Sequence, residues 1–187
     1  MLLNRADAVA TVSETTKLLI AKHQLTKRPV SVVYNAAEDY STTSAPKQRP
    51  TGKQTLIYMG SFMVYKNVEV LIRGMAQLPD HKLLLLSRIT DARKAELQSI
   101  VTAGADVEFL NGVTDDEYHE LLNGAVALVS GSRDEGFGIP LVESMSRGIP
   151  VVVSDIPIFK EIGGDAAIYF DQEKPAAFAS AIKSISS

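Results

Sequence analysis

Cysteine is absent from all 187 residues, which excludes a disulfide framework, thiolate metal sites and cysteine nucleophiles together. Long apolar runs are missing too. The longest, such as residues 125–129, fall far short of the ~20 residues that a spanning helix needs. Residues 1–5, Met-Leu-Leu-Asn-Arg, lack a basic region followed by a long apolar one. The expectation is a soluble, cytoplasmic chain, with peripheral membrane contact left open. There is no basic excess, with 19 Lys and Arg against 22 Asp and Glu and a net charge of −3, so nothing favours an electrostatic grip on nucleic acid. No Asp-x-Asp pair occurs, and His23, His81 and His119 are not spaced as a metal site, so neither a metal nor a cofactor is expected. Gly52-Lys53 lacks the earlier glycine of a phosphate loop, and no fixed-period repeat appears.

What is present is a 45% hydrophobic chain, enough for one full domain plus part of another. From Thr55 onward, short aliphatic runs alternate with helical stretches, the pattern of parallel strands joined by crossover helices. Strands are expected over residues 55–59, 82–87, 106–109, 125–130, 150–154 and 167–170. Helical stripes run through Val68, Leu71, Ile72 and Met75 and through Phe178, Ala181, Ile182 and Ile185. Further helices are cued over 91–101, 115–123 and 140–147, the last opening with proline. The expected fold class is α/β, a Rossmann-like doubly wound parallel sheet. Residues 40–53 are polar and rich in Pro and Ser/Thr, the composition of a linker. Before them lies one strand, helix and strand, with Ser13 as N-cap. This unit leaves Val9, Val12, Val30, Val32 and Val33 in need of a larger sheet. The expected division is therefore 1–39 as the tail of a first domain, 40–53 as linker and 54–187 as a second domain.

The segment from Val129 to Glu143 carries the chemistry. It follows a strand and opens a helix, whose first N–H groups attract anions. Gly136 and Gly138 allow close backbone approach. Glu135 and Glu143 accept hydrogen bonds from hydroxyls and repel phosphate. Acids flanking amide donors suit a molecule with hydroxyls at both ends and a diphosphate between them, which describes a nucleotide sugar. Taken singly, Glu143 in a first helical turn is explained by the helix dipole and Glu135 by a solvated loop. Gly136-x-Gly138 alone is weak, since Leu141 stands where a third glycine belongs. The combination carries the reading.

The run Glu135-Gly-Phe-Gly-Ile-Pro-Leu-Val-Glu143, continued by residues 144–152, resembles the signature of the family 4 retaining glycosyltransferases of GT-B fold. Residues 6–9 and 12–14 resemble the end of that family's first domain, Tyr58-Met59-Gly60 with Lys66-Asn67 the start of its second, and residues 107–113 its base-side strand. The resemblance implies transfer of a sugar from a nucleotide diphosphate to an acceptor, with retention and without a metal. Lys66 and Glu135 are the implied catalytic residues, Lys66 on the diphosphate and Glu135 on the sugar hydroxyls. Glu143 would hold the ribose, the backbone around Val113 would face the base, and Gly60, Ser61, Gly136, Phe137, Gly138 and Ile139 complete the donor site. Lys66 also stands before a helix beginning near Asn67, the wrong end for a cation unless an anion joins it.

Two departures matter. Ser61 stands where many members have arginine, which removes a bidentate phosphate partner; Arg88 and Arg133 are candidate substitutes. Ala36 stands where glycine is common, which strains a left-handed backbone if one is needed there. The lone chain is expected to bind a donor better than it turns one over, with a first domain or partner chain supplying the acceptor side. A non-catalytic nucleotide-sugar-binding module and a nucleotide-sugar epimerase or phosphorylase on the same fold stay open as alternatives.

Overall fold

The computed structural model describes residues 2–36 and 52–185. Two parallel sheets form within it, one small and one large.

The first 36 residues contain strand β1 (Val9–Thr11), helix α1 (Glu14–Lys22) and strand β2 (Val30–Val32). β1 and β2 pair in parallel, Val9 opposite Val30, with α1 as the crossover that parallel pairing requires. Ser13 caps α1 by accepting from the Thr16 N–H at 3.1 Å. Val9 is buried in this pair, whereas Val33 remains 63% exposed. Ala36 is not among the residues of positive φ, so alanine there carries no left-handed strain. The expected linker lies mostly outside the described residues.

The large sheet holds β3 (Gln54–Met59), β4 (His81–Leu86), β5 (Asp106–Leu110), β6 (Ala127–Ser130), β7 (Val151–Ser154) and β8 (Ala167–Phe170). Its order is β5-β4-β3-β6-β7-β8, every pair parallel. Both faces are covered, which is why the strands read as near-continuous aliphatic runs rather than alternating ones. Leu56, Tyr58, Leu83 and Leu85 face one core with α2 (Val68–Gly74), α3 (Asp91–Ser99) and α7 (Pro175–Ile185). Ile57, Leu84, Leu86 and Leu128 face the other with α4 (Asp115–Asn123), α5 (Ile139–Ser146) and α6 (Pro157–Gly163). This is the doubly wound sheet expected from the sequence. Helix α6 was not foreseen, because seven residues after Ile156 give too short a stripe to register a helical period.

The strand order turns at one place. The chain winds outward from β3 through β4 to β5, returns to β6 beside β3, and winds the other way to β8. Crossovers diverge there, and a crevice opens at the carboxyl ends of β3 and β6. Every expected site residue except Val113 and Glu143 lies on the two loops that leave those ends or at the start of the helix that follows. No helix among the described residues is long and apolar enough to cross a membrane.

Candidate functional site

The loop after β3 is braced from below. The Tyr58 hydroxyl donates to the Ser61 carbonyl at 2.5 Å. Burial, ahead of the neighbouring Glu135 carboxylate, pushes the Tyr58 phenol far above its ordinary range, so it stays a donor. Arg93 on α3 donates from Nε to the Phe62 carbonyl at 3.1 Å and pairs with Glu69. A 3-10 turn, Val64–Lys66, follows and ends at Asn67, which takes a left-handed conformation with φ 48°. Asn67 is buried and donates from Nδ2 to the carbonyls of Gly131 (3.1 Å) and Gln172 (2.8 Å). One amide thereby ties the start of α2 to the β6–α5 and β8–α7 loops. The Arg133 N–H adds a 2.8 Å bond to the Tyr65 carbonyl.

These ties bring Lys66 to Glu135. Nζ lies 2.6 Å from Oε1, and both side chains are 15% exposed. The sequence leaves Lys66 at the positive end of a helix and in need of an anion, and in this structure the anion is Glu135 itself. The buried Ser132 hydroxyl donates to the same Oε1 at 2.8 Å.

Beyond Glu135 the backbone is open. Among the described residues none accepts a hydrogen bond from the N–H of Gly136, Phe137 or Gly138. Gly138 has φ 95° and caps α5, and a Cβ there would sit 3.0 Å from the Phe159 ring. The first segment of the chain closes this loop from one side: the Ser13 hydroxyl donates to the Gly136 carbonyl at 3.1 Å, and the rings of Tyr34 and Phe137 lie 6.3 Å apart.

Glu143 falls one residue past the first turn of α5, not within it. Its position therefore owes less to the helix dipole than the sequence implied. Tyr118 on α4, itself buried, donates its hydroxyl to Glu143 Oε2 at 3.1 Å.

Three cavities follow one another along the carboxyl ends of the strands. The first, about 360 Å³, is lined by Gly60, Lys66 and residues 135–141, with Val12 and Asn35 from the first segment. Met59, Gly60, Ile139 and Pro140 also line the second, which Asp115, Asp116 and Glu143 make acidic. Met59 continues into the third, beside Ser87, Arg88, Val113 and Asp115. The boundary between the first two is the N-terminus of α5, where amide hydrogens favour an anion. Acids on either side of it favour hydroxyls. Ser61 lines none of the three. Arg133 does not take the place of the absent arginine: its guanidinium forms a two-point pair with Glu173 at 2.7 and 2.9 Å, outside all three cavities. Arg88 lies in the third cavity, away from Lys66. Among the described residues no cluster of three or more His, Asp or Glu side chains is disposed to hold a metal ion.

Three contributors escaped the sequence reading: Ser132, Tyr118 and Asn67. Tyr118 and Asn67 act through hydrogen bonds to residues 25 and 64 positions away, which no local pattern encodes; Ser132 stands only three residues before its partner Glu135, but a serine at that spacing before a loop glutamate is commonplace.

Residues 39–187 match the family model described as glycosyl transferases group 1. The chain belongs to that family. This group 1 glycosyl transferase is 33% identical to the O-antigen chain mannosyltransferase RfbU of Salmonella typhimurium, over 99% of the chain and 52% of that protein. It is 27% identical to the GDP-mannose:cellobiosyl-diphosphopolyprenol alpha-mannosyltransferase of Xanthomonas oryzae, over 72% of the chain and 38% of that protein. The chain thus spans about half the length of the first of these relatives, or less for the second. In fold it is similar to Anabaena HepE, solved in complex with UDP and glucose, with a TM-score of 0.81, 19% identity, and coverage of 98% of this chain and 54% of that one.

Proposed function

We propose that this chain binds a nucleotide-diphosphate sugar along the three cavities and serves its transfer, with retention, to an acceptor. The carrying observation is the Lys66–Glu135 contact beside the unpaired N–H groups of Gly136, Phe137 and Gly138. In this reading the diphosphate lies over Gly60 and the start of α5 and draws Lys66 toward it. Glu135, Phe137, Gly138 and Ile139 hold the sugar, Glu143 holds the ribose, and Val113 faces the base.

In the transfer the acceptor's hydroxyl oxygen bonds to the anomeric carbon as that carbon's bond to the diphosphate oxygen breaks; the diphosphate leaves as an anion, and the hydroxyl proton passes to it or to solvent. Lys66 and the α5 amides stabilise that charge in place, without reorganising when it develops. Ser61 contributes no charge there, so Lys66 carries the cationic share. No described residue is assigned to the acceptor, and the isolated chain is expected to bind donor more readily than it transfers it. The mannosyltransferase relatives, one of which is named for GDP-mannose, support GDP-mannose as the donor.

Calorimetry with GDP-mannose, UDP-glucose and ADP-glucose tests the reading. Saturable binding of GDP-mannose, weakened at least tenfold in Lys66→Ala, is expected. Equal binding by the unchanged chain and Lys66→Ala contradicts it. Incubation with donor alone separates the rivals that act on it: free GDP marks transfer to water, and an isomerised donor marks an epimerase.

A further inference from the structure

Ser132 is fully buried and stands three residues before Glu135. Its hydroxyl has one hydrogen, and the Glu135 carboxylate, 2.8 Å away, only accepts. That hydrogen therefore goes to Oε1. Ser130 Oγ lies 3.1 Å from Ser132 Oγ, and with Ser132's hydrogen committed, Ser130 is the donor of that pair. The Ser132 backbone is fixed as well, because the buried Ser154 hydroxyl donates to its carbonyl at 2.5 Å. The result is a directed chain from Ser130 to Ser132 to Glu135, anchored on β7.

Lys66 and Ser132 both fall on Oε1. Among the described residues no hydrogen bond reaches Oε2. When a diphosphate draws Lys66 away, Ser132 is the remaining hydrogen bond to Glu135, which lines the first cavity.

We infer that Ser132 is a positioning residue, which holds the Glu135 carboxylate ready for the donor's sugar after Lys66 has turned to the phosphates. The inference rests on the donor reading above and assigns Ser132 to recognition of the sugar and not of the nucleotide. It predicts a split that a general loss of structure does not produce. Ser132→Ala leaves the affinity for the nucleotide diphosphate unchanged and lowers the extra affinity conferred by the sugar about tenfold, the size of one hydrogen bond to a charged group.

The test titrates the chain, by calorimetry, with GDP and GDP-mannose and with UDP and UDP-glucose, using whichever pair binds. Ser132→Ala and Glu135→Gln are each expected to reduce the sugar increment, and the double variant to fall no further than Glu135→Gln alone. Ser130→Ala, which keeps Ser132 but removes its donor, gives a smaller loss in the same direction and carries the test if Ser132→Ala fails to fold. An undiminished sugar increment in Ser132→Ala, or an equal loss of GDP and GDP-mannose affinity in both serine variants, overturns the positioning role while the donor reading stands. Binding of neither pair by the unchanged chain, or no sugar increment at all, overturns both.

Discussion

Gly136 differs from the glycines around it. At Gly131 a Cβ would lie 2.6 Å from Val70 Cγ1 and 2.8 Å from the Asn67 carbonyl oxygen, and at Gly138 φ is positive. The fold itself requires glycine at both. At Gly136 nothing lies within 4 Å of such a Cβ, and φ is not positive. Gly136→Ala is therefore expected to leave the thermal midpoint unchanged while weakening GDP-mannose at least tenfold, since in the proposed function the ligand needs the space. Gly131→Ala is expected to cost about 1–3 kcal/mol of stability in denaturant melts. Unchanged donor affinity in Gly136→Ala argues against a ligand on that loop. Lys66, Glu135 and Glu143 stand out in the sequence as candidates because the resemblance that picks them out runs through contiguous stretches. Ser132 and Tyr118 do not, since a serine before a glutamate or a tyrosine on an amphipathic helix is commonplace until the partner is seen. The pairing of Lys66 with Glu135, 69 positions away, was visible only as a cation without its anion.

Helix α1 is held from outside its own segment. Glu161 on α6 accepts from the N–H groups of Glu14 (2.7 Å) and Thr15 (2.8 Å) and from the Thr15 hydroxyl (2.5 Å). Burial raises the Glu161 carboxyl, but the Thr15 and Glu14 bonds, with the Tyr34 hydroxyl, more than reverse this and leave it below its ordinary value of 4.5. A carboxyl depressed in the folded state lends stability that is complete above the ordinary value and is lost as pH falls through the lower, folded-state one. Hydrogen exchange should accordingly show the α1 amides docked at pH 6 and progressively loosened as the pH falls below the ordinary carboxyl value of 4.5. Glu161→Gln should loosen them at pH 6 as well, by about tenfold in exchange rate. Identical α1 protection in Glu161→Gln and the unchanged chain rules this clamp out. The sequence supplied the start of α1, since the Ser13 cap is local, but not α6 or its carboxylate. Strands fared better. Runs such as Leu83 to Leu86, buried on both faces, declare a central parallel strand by composition alone.

Across the whole molecule, the site exists because the winding direction reverses between β3 and β6. Six alternating strands and helices imply a doubly wound sheet, but which two strands sit side by side at the reversal is a long-range fact that periodicity does not carry. The two cores on either side of the sheet hold that crevice in shape. Phe178 is fully buried between α7 and α2, against Gly74, and Phe178→Ala is expected to cost about 3–5 kcal/mol in a denaturant melt. A loss under 1 kcal/mol means that α7 is not packed as described. In the proposed function, Lys66 leaves Glu135 for the diphosphate of a bound donor. Phosphorus NMR of GDP-mannose with the chain reads that contact directly. Both diphosphate resonances are expected to shift on adding the unchanged chain and to shift much less at the same concentrations with Lys66→Gln. Resonances that the chain leaves unmoved, or that Lys66→Gln moves equally, contradict this.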